Sequence, residues 1–276
     1  MKRAIKSIVA ASAAIFMCAA PMATSVANIL PTGCITASAY YIPNAFDSFD
    51  NDWTPTITSV TEADLNRGIN LGHVDYRFDI QNKTASVQGI DKADSRIKIP
   101  ARLNINGQYY NVTSIANGAF RNKDGKRLPN GDAAPMGAAL TKIDLSAATY
   151  LTSIGNEAFQ NCTSLESLTI PASVRTIGTK AFENSGIRTL RLERISALSY
   201  SSLVLKDRAF ADCKKLTHIT NNVTRFTDTA YGIIYDDSSA NAFDGCNKSS
   251  ISIGTSYRVI GYKEQFVNNF KRTFNF

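Results

Sequence analysis

Leu-Thr-Ile-Pro-Ala-Ser-Val-Arg-Thr-Ile-Gly-Thr-Lys-Ala-Phe, at residues 168–182, ends in an Ala-Phe pair that occurs five times in the same local setting. The five pairs are Ala119-Phe120, Ala158-Phe159, Ala181-Phe182, Ala209-Phe210 and Ala242-Phe243. Their phenylalanines lie 39, 23, 28 and 33 residues apart, so the shortest interval defines the repeat and the longer intervals contain insertions. A period in this range is typical of a solenoid.

Other positions recur in register with the phenylalanines. Five residues before the ring stand Ile115, Ile154, Ile177 and Leu205, and eight before it stand Val112, Leu151 and Val174. Two residues after the ring come Asn122, Asn161, Asn184 and Asp212, and three after it come Cys162, Ser185, Cys213 and Cys246. We expect the aliphatic positions to face inward. Because one copy cannot bury enough apolar surface to offset the ordering of its backbone, stability should be shared between stacked copies.

The clearest copy contains a short strand. Alternation over 167–170 places Leu168 and Ile170 inward and Ser167 and Thr169 outward, and Pro171 ends the strand. The same strand recurs within 140–145, 187–192, 216–220 and, more weakly, 251–253. Side by side, these strands predict a parallel sheet. A second extended piece at 174–178 precedes a turn that holds Ala181-Phe182.

The strings at 151–165 and 168–182 closely resemble the BspA-like class of leucine-rich repeats. The resemblance covers about residues 84–253, and 76–100 looks like the strands that lead into such repeats. It implies an α/β solenoid, a right-handed superhelix of short parallel strands with short helices or irregular turns on the other face. In the fifth copy Ser238 replaces the inward aliphatic residue and Ser249 replaces the leucine, which suggests a terminal coil.

The amino terminus has the form of a secretory signal peptide. Lys2, Arg3 and Lys6 precede an apolar run over 8–20, which is too short for a relaxed membrane span. Cleavage after Ala27 and cleavage after Ala39 both fit the small residues that follow. The predicted organisation is therefore a signal peptide at 1–27, an N-terminal linker and cap at 40–83, repeats at 84–253 and a C-terminal cap at 254–276.

Charge argues against a nucleic-acid partner. The formal net charge of +7 falls to +4 without the leader, and Lys and Arg are interspersed with Asp and Glu. A nucleic-acid binder clusters its basic residues on one face. We therefore expect no nucleic acid among the partners, and no membrane span after removal of the leader.

The cysteines look like small buried residues rather than a disulfide framework. Cys162, Cys213 and Cys246 occupy one slot, and Ser185 fills that slot between the first two. Two coils separate Cys162 from Cys213, which is too far for a bridge. Only Cys213 and Cys246 could pair, and their oxidation state is left open.

The chain offers little for catalysis. Its two histidines, His73 and His218, have no partners at a spacing typical of metal sites. The acidic groups at Asp236-Asp237 and at Asp47, Asp50 and Asp52 are expected to be solvated loop residues. We predict no catalytic, cofactor-binding or metal-binding residues and no cofactor, and therefore no enzyme.

The outward face of the strands is the candidate partner-binding surface. Reading across copies gives Lys142, Ser167, Thr189 and His218 in one row, and Asp144, Thr169, Arg191, Thr220 and Ser252 in the next. A solenoid presents such rows as an extended surface for a large partner. Aromatic residues of the insertions, and Trp53 near the amino terminus, could either anchor a partner or pack over the core. The insertion aromatics are Tyr200, Phe226, Tyr231 and Tyr235.

These observations favour a secreted or cell-surface binding protein. The resemblance implies an adhesion-like role, with a host matrix or cell-surface protein or a glycan as partner. Two alternatives stay open: a glycan-active secreted hydrolase, and a structural spacer without a specific ligand.

Overall fold

The computed structural model describes residues 35–36, 54–90, 95–122, 139–194, 203–223, 233–234, 241–255, 264, 267–268, 270–272 and 274–276. The predicted leader at 1–27, Trp53, Ser238, the insertion aromatics and the acidic groups at 47–52 and 236–237 lie outside these residues. No helix within the described part of the chain has both the length and the apolar character needed to cross a bilayer.

Short strands dominate the described chain. The leading part contains β1 (Ile35–Thr36), β2 (Thr56–Ile57), helix α1 (Glu62–Arg67), β3 (Ile69–Leu71), β4 (Val74–Asp79), β5 (Thr84–Ile90), β6 (Arg96–Lys98), β7 (Arg102–Ile105) and β8 (Gln108–Ile115). The repeats contain β9 (Lys142–Asp144), β10 (Ser153–Ile154), β11 (Ser167–Ile170), β12 (Thr176–Ile177), β13 (Thr189–Arg194), β14 (Leu203–Leu205), β15 (His218–Val223), β16 (Ile233–Ile234) and β17 (Ser252–Thr255). Positions 264, 267–268 and 270–272 are helical.

Local sequence signals explain the leading part. Thr61 caps α1 by accepting a hydrogen bond from the Asp64 N–H, while the Asp64 carboxylate accepts one from the Thr61 N–H, a capping box. β7 and β8 form an antiparallel hairpin across Asn106 and Gly107, both at positive φ. The Asn106 amide also bonds both backbone groups of Val60, which attaches the hairpin to the segment before α1.

Two sheets run through the described repeats. One follows the order β1-β3-β4-β5-β8-β10-β12-β14-β16, with β7 pairing both β8 and β2, and the other follows β6-β9-β11-β13-β15-β17. From β8 onward all pairs along the first order are parallel, as are all pairs of the second sheet. The chain therefore visits the two sheets alternately, and each repeat adds one strand to each. This parallel repeat fold confirms the parallel sheet predicted from the strand pattern.

Burial follows the predicted pattern. Strand β11 alternates exposed and buried residues, with Leu168 and Ile170 buried, and ends immediately before Pro171. The aliphatic residues five and eight positions before each phenylalanine are buried as well: Ile115, Ile154, Ile177, Leu205, Val112, Leu151 and Val174. Because one connected cluster contains the inward residues of both sheets, the two sheets share a single apolar core.

The five repeat phenylalanines form a continuous stack in this core. All five are fully buried. Neighbouring rings have centroids 4.8, 4.9, 5.0 and 5.3 Å apart and lie within 12° of parallel. At the carboxyl end, Phe270, Phe274 and Phe276 contact Phe243 at 5.6, 5.0 and 5.6 Å. The stack therefore ends against an aromatic cluster rather than against solvent.

The Ala-Phe segments are turns that are hydrogen-bonded to one another. The N–H of each of the first four phenylalanines donates to the alanine carbonyl of the next repeat, for example Phe159 to Ala181 at 2.7 Å and Phe182 to Ala209 at 2.8 Å. The residues two before and two after the ring adopt left-handed backbone conformations in most copies: Gly118, Glu157, Lys180 and Arg208 before it, and Asn161, Asn184, Asp212 and Gly245 after it. The side chains of both residues of each Ala-Phe pair are buried, so the phenylalanine fills the core and the alanine supplies a small side chain where the turns pack together.

Candidate functional site

The second sheet aligns the predicted surface residues in rows. Ser167 of β11 lies beside Lys142 on one side and Thr189 on the other, and Thr189 lies beside His218. We name this set the lysine row. One step along the strands, Thr169 lies beside Arg191, and Arg191 beside Thr220; with Asp144 they form the arginine row. The structure therefore brings all eight predicted residues onto one sheet face.

Most members of both rows are open to solvent. Lys142, Ser167, Thr169, Thr189, Arg191 and His218 are exposed, while Asp144 and Thr220 are half-buried. The residues between them, such as Leu168, Leu190 and Ile219, point into the core and fix the spacing of the strands. The surface is thus a set of polar side chains held at strand spacing by an apolar layer directly beneath it.

Strand β6 extends both rows, and the repeat pattern does not predict this extension. Arg96 pairs with Lys142 and Lys98 pairs with Asp144. Arg96 is exposed, whereas the Lys98 side chain is buried. The alternation Arg96-Ile97-Lys98-Ile99 indicates a strand, but the resemblance places 76–100 among the strands that lead into the repeats and not on the face.

The placement of Ser252 in the arginine row is wrong. Ser252 pairs with His218, so it belongs to the lysine row, and Gly254 is the neighbour of Thr220. The reason is that Ile253, not Ile251, occupies the inward position beside Ile219. Ile251 is buried and Ile253 is half-buried, so the sequence of this terminal copy is compatible with either isoleucine as the partner of Ile219.

His218 lies in a polar environment within the lysine row. Its Nδ1 lies 2.9 Å from the Thr217 hydroxyl, and its neighbours on the adjacent strands are Thr189 and Ser252. No carboxylate or thiol joins it in a catalytic arrangement among the described residues. Within the same residues, no group of three or more His, Cys, Asp and Glu side chains could hold a metal ion.

A charged network lies on the Ala-Phe turns rather than on the strand face. Arg208 donates to Glu183 at 2.7 Å and to Asp212 at 2.8 Å, and Gln160 also donates to Glu183. Burial alone would raise the pKa of Glu183, but the hydrogen bonds from Arg208 and Gln160 hold that pKa below its usual value. The bond to Glu183 likewise raises the pKa of Arg208. These contacts link successive repeats and carry no open reactive group.

Two members of the cysteine slot, Cys162 and Cys213, are buried as predicted, and all three described members are free thiols. Cys162 and Cys213 are fully buried, and Cys246 is half-buried. Each thiol donates to a phenylalanine carbonyl of an earlier repeat at 3.2 Å: Cys162 to Phe120, Cys213 to Phe182 and Cys246 to Phe210. Burial raises the pKa of Cys162, which disfavours its thiolate.

A comparison with protein families explains this repeated arrangement. A model of the BspA type leucine rich repeat region, present in six copies, matches residues 131–233 and 205–273. The chain belongs to this family. The matched residues include four of the five Ala-Phe pairs, all members of the rows from Lys142 to Ser252, and Phe270 of the aromatic cluster. The BspA-type resemblance inferred from 151–182 is therefore confirmed.

Several solved structures are similar to parts of the chain. A leucine-rich repeat protein from Bacteroides capillosus is 16% identical over 69% of this chain and 99% of its own, with a TM-score of 0.34. A leucine rich cell surface protein from Faecalibacterium prausnitzii is 20% identical over 69% of this chain and 55% of its own, with a TM-score of 0.35. The pneumococcal vaccine antigen PcpA is 18% identical over 68% of this chain and 50% of its own, with a TM-score of 0.41. The chain thus spans about half the length of the last two proteins.

No curated protein matches this chain.

Proposed function

We propose that this protein is an exported, non-enzymatic leucine-rich-repeat binding protein. Its repeats wind as a solenoid, a right-handed superhelix, and the face of the second sheet contacts a large partner such as a matrix protein, a cell-surface protein or a surface glycan. Export rests on the leader pattern at 1–27, and an adhesion-like role is proposed from the family. The lysine and arginine rows carry the contact.

The observation that carries this proposal is the alignment of exposed polar groups on neighbouring strands. Three of them, Lys142, Arg191 and His218, project long side chains from an exposed sheet face, with hydroxyl groups between them. Ammonium, guanidinium and hydroxyl groups donate hydrogen bonds. Rows of such donors at fixed spacing suit an extended oxygen-rich surface, as on a glycan or the backbone and carboxylates of a protein.

The composition of the face supports binding rather than turnover. The groups in the rows are hydroxyls and single cations, and Asp144 is their one carboxylate. Glycoside hydrolysis usually requires two carboxyl groups facing one bond. A structural spacer would not need exposed basic side chains aligned on neighbouring strands. Binding of a ligand by this face would exclude the spacer.

The test is a binding screen followed by substitution of the face. The mature protein is screened against matrix proteins and surface glycans, and each ligand found is titrated against the triple variant Lys142→Ala/Arg191→Ala/His218→Ala. We expect the affinity to fall at least about tenfold, because each lost contact of this kind contributes on the order of 1 kcal/mol.

A matched control keeps the number of removed cations similar. Lys83, Arg175 and Lys271 are exposed and lie away from the second sheet, so Lys83→Ala/Arg175→Ala/Lys271→Ala should leave affinity unchanged. Equal losses in both triple variants, or no loss in the first, would contradict the assignment of the face. Turnover of any panel glycan that is abolished by an Asp or Glu substitution would support the hydrolase instead.

A further inference from the structure

Cys213 and Cys246 occupy the same slot in consecutive repeats. The backbone around them is fastened between these repeats, because the Phe210 N–H donates to the Ala242 carbonyl and the Asp212 N–H donates to the Asp244 carbonyl, both at 2.7 Å. The neighbouring rings Phe210 and Phe243 stack at 5.3 Å. Stacked repeats at this spacing place equivalent residues within the range of Cα separations found in disulfides, about 4.4 to 6.8 Å.

The Cys246 sulfur lies against the preceding repeat, where its thiol donates to the Phe210 carbonyl at 3.2 Å, three residues before Cys213 in the sequence. The neighbouring Cys246 thiol and burial raise the pKa of Cys213, whereas the neighbouring Cys213 thiol lowers the pKa of Cys246. The nearby Lys248 ammonium lowers the Cys246 pKa further, against the opposing charge of Asp212. Cys246 is half-buried, so of the two it is also the thiol that a dissolved reagent can reach. A thiolate is the attacking species in thiol–disulfide exchange.

Cys162 provides an internal contrast. The next repeat carries Ser185 in the slot, and its hydroxyl lies 3.2 Å from the Cys213 sulfur. Cys162 is fully buried and donates to the Phe120 carbonyl, away from the other two thiols. The slot therefore contains one isolated thiol and one adjacent pair.

We propose that Cys213 and Cys246 form a redox modification site, at which a small disulfide reagent closes a covalent bond between the last two Ala-Phe turns. The Cys246 thiolate attacks one sulfur of the reagent, forming a mixed disulfide and releasing one reagent thiol. Cys213 then loses its proton and attacks the Cys246 sulfur, which forms the protein disulfide and releases the second reagent thiol. Two protein thiols are oxidised and one external disulfide is reduced to two thiols.

The bond would join the fourth copy to the fifth, whose strand has less apolar filling than the strands of the other copies. The fifth copy lacks the leucine of the others, having the exposed Ser249 in its place, and its Ile253 is only partly buried. A disulfide there closes a loop of about 33 residues between the two cysteines and reduces the entropy of the unfolded chain. Oxidation should therefore stabilise the carboxyl-terminal repeat, while the reduced protein keeps the same fold.

The experiment uses the native full-length protein with oxidised glutathione as the reagent. After acid quenching and alkylation of the remaining thiols, trypsin releases Cys213 in peptide 209–214 and Cys246 in peptide 226–248. We expect these two peptides as one linked species, two hydrogens lighter than the sum of the free peptides, and a higher thermal midpoint for the oxidised protein. Dithiothreitol should reverse both changes.

Variants assign the bond. Cys162→Ser should give the same linked species, whereas Cys213→Ser and Cys246→Ser should each abolish it and its thermal gain. Three results would overturn the proposal. They are recovery of both cysteines of the native protein as alkylated, hence unoxidised, thiols; accumulation of only a glutathione adduct on Cys246; and formation of the linked peptide only in denaturant.

Discussion

At the residue scale, the repeat depends on one aromatic ring per copy. Phe182 is fully buried between Phe159 and Phe210, with centroid distances of 4.9 and 5.0 Å. Offset or parallel stacking of buried rings adds to the free energy of burial. The fixed spacing between the ring and the aliphatic positions of each copy predicts that the ring is buried, and the structure confirms this prediction.

The first prediction concerns that ring. Phe182→Ala leaves a cavity inside the stack and should reduce the free energy of unfolding by about 3 to 5 kcal/mol. Tyr150→Ala is the matched control, because Tyr150 is 44% exposed and its loss should cost far less. Urea denaturation of the three proteins measures the difference. An unfolding midpoint for Phe182→Ala that equals that of the unsubstituted protein would contradict burial of the ring.

A second residue-scale feature was not predictable from the copies themselves. The residues two before and two after the ring are left-handed in most copies, although Glu, Lys, Arg, Asn and Asp occupy most of these positions. Only Gly118 and Gly245 gave a hint, since glycine is the residue that adopts this conformation without strain. Gly118 lies two residues before the ring of the first copy, and Gly245 lies two residues after the ring of the last copy. Because each position has glycine in only one copy, the sequence does not show that both positions require a positive φ.

The second prediction uses Gly118. Its φ is 63°, and an added Cβ would lie 3.9 Å from the nearest atom, the Arg121 Cβ, so only the backbone conformation opposes a side chain. Gly118→Ala should therefore destabilise the protein by about 1 kcal/mol. Gly254→Ala is the control, because Gly254 has ordinary φ and open space around it. If both substitutions change the unfolding midpoint equally in urea, the left-handed turn is not a constraint.

The third prediction concerns a polar residue in the core. Asn221 is 4% exposed, lies beside Leu192 in the inward row, and its Oδ1 has no hydrogen-bond partner among the residues that the structure describes. Burying an unsatisfied polar atom is unfavourable, so Asn221→Leu should raise the free energy of unfolding by about 1 to 2 kcal/mol. The measurement is again urea denaturation. A loss of stability would mean that the site cannot accommodate the leucine found in the preceding repeat.

At the element scale, strands and turns play different roles. The strands were predictable because inward and outward residues alternate within each copy, as in Ser167–Ile170. The register between strands was predictable where the copies are similar. The prediction was wrong at Ser252, because Ile251 and Ile253 both fit the inward position beside Ile219 and the structure places Ile253 there. The turns connect repeats through side chains that differ from copy to copy, so the bonds among Gln160, Glu183 and Arg208 could not be inferred from a repeated pattern.

The fourth prediction tests that turn network by its pH dependence. Since the folded pKa of Glu183 lies below its unfolded value of about 4.3, the ionised carboxylate stabilises the fold above that pH. This contribution is lost as the pH falls through the folded pKa. Glu183→Gln should cost on the order of 1 kcal/mol at pH 7, and the difference from the unsubstituted protein should shrink below about pH 4. A difference that stays constant from pH 7 to pH 3 would rule out the ion pair as its source.

At the scale of the whole molecule, the rows on the second sheet depend on the stack beneath them. The side chains of Lys142 and His218 belong to different repeats, and their spacing is set by the strands and by the rings that join those repeats. The sequence predicted which residues share the face, because strand alternation fixes it. The partner could not be predicted, because hydroxyls and single cations suit many oxygen-rich surfaces.

The measurement that tests the stacked arrangement most directly is a pair of double-mutant cycles on the free energy of unfolding. Phe159→Leu and Phe182→Leu remove neighbouring rings, whereas Phe120→Leu and Phe243→Leu remove rings at opposite ends of the stack. We predict a coupling energy of about 0.5 to 1.5 kcal/mol for the neighbouring pair and additivity within about 0.5 kcal/mol for the distant pair. Strict additivity for Phe159 and Phe182 would contradict a stack in which each ring supports the next.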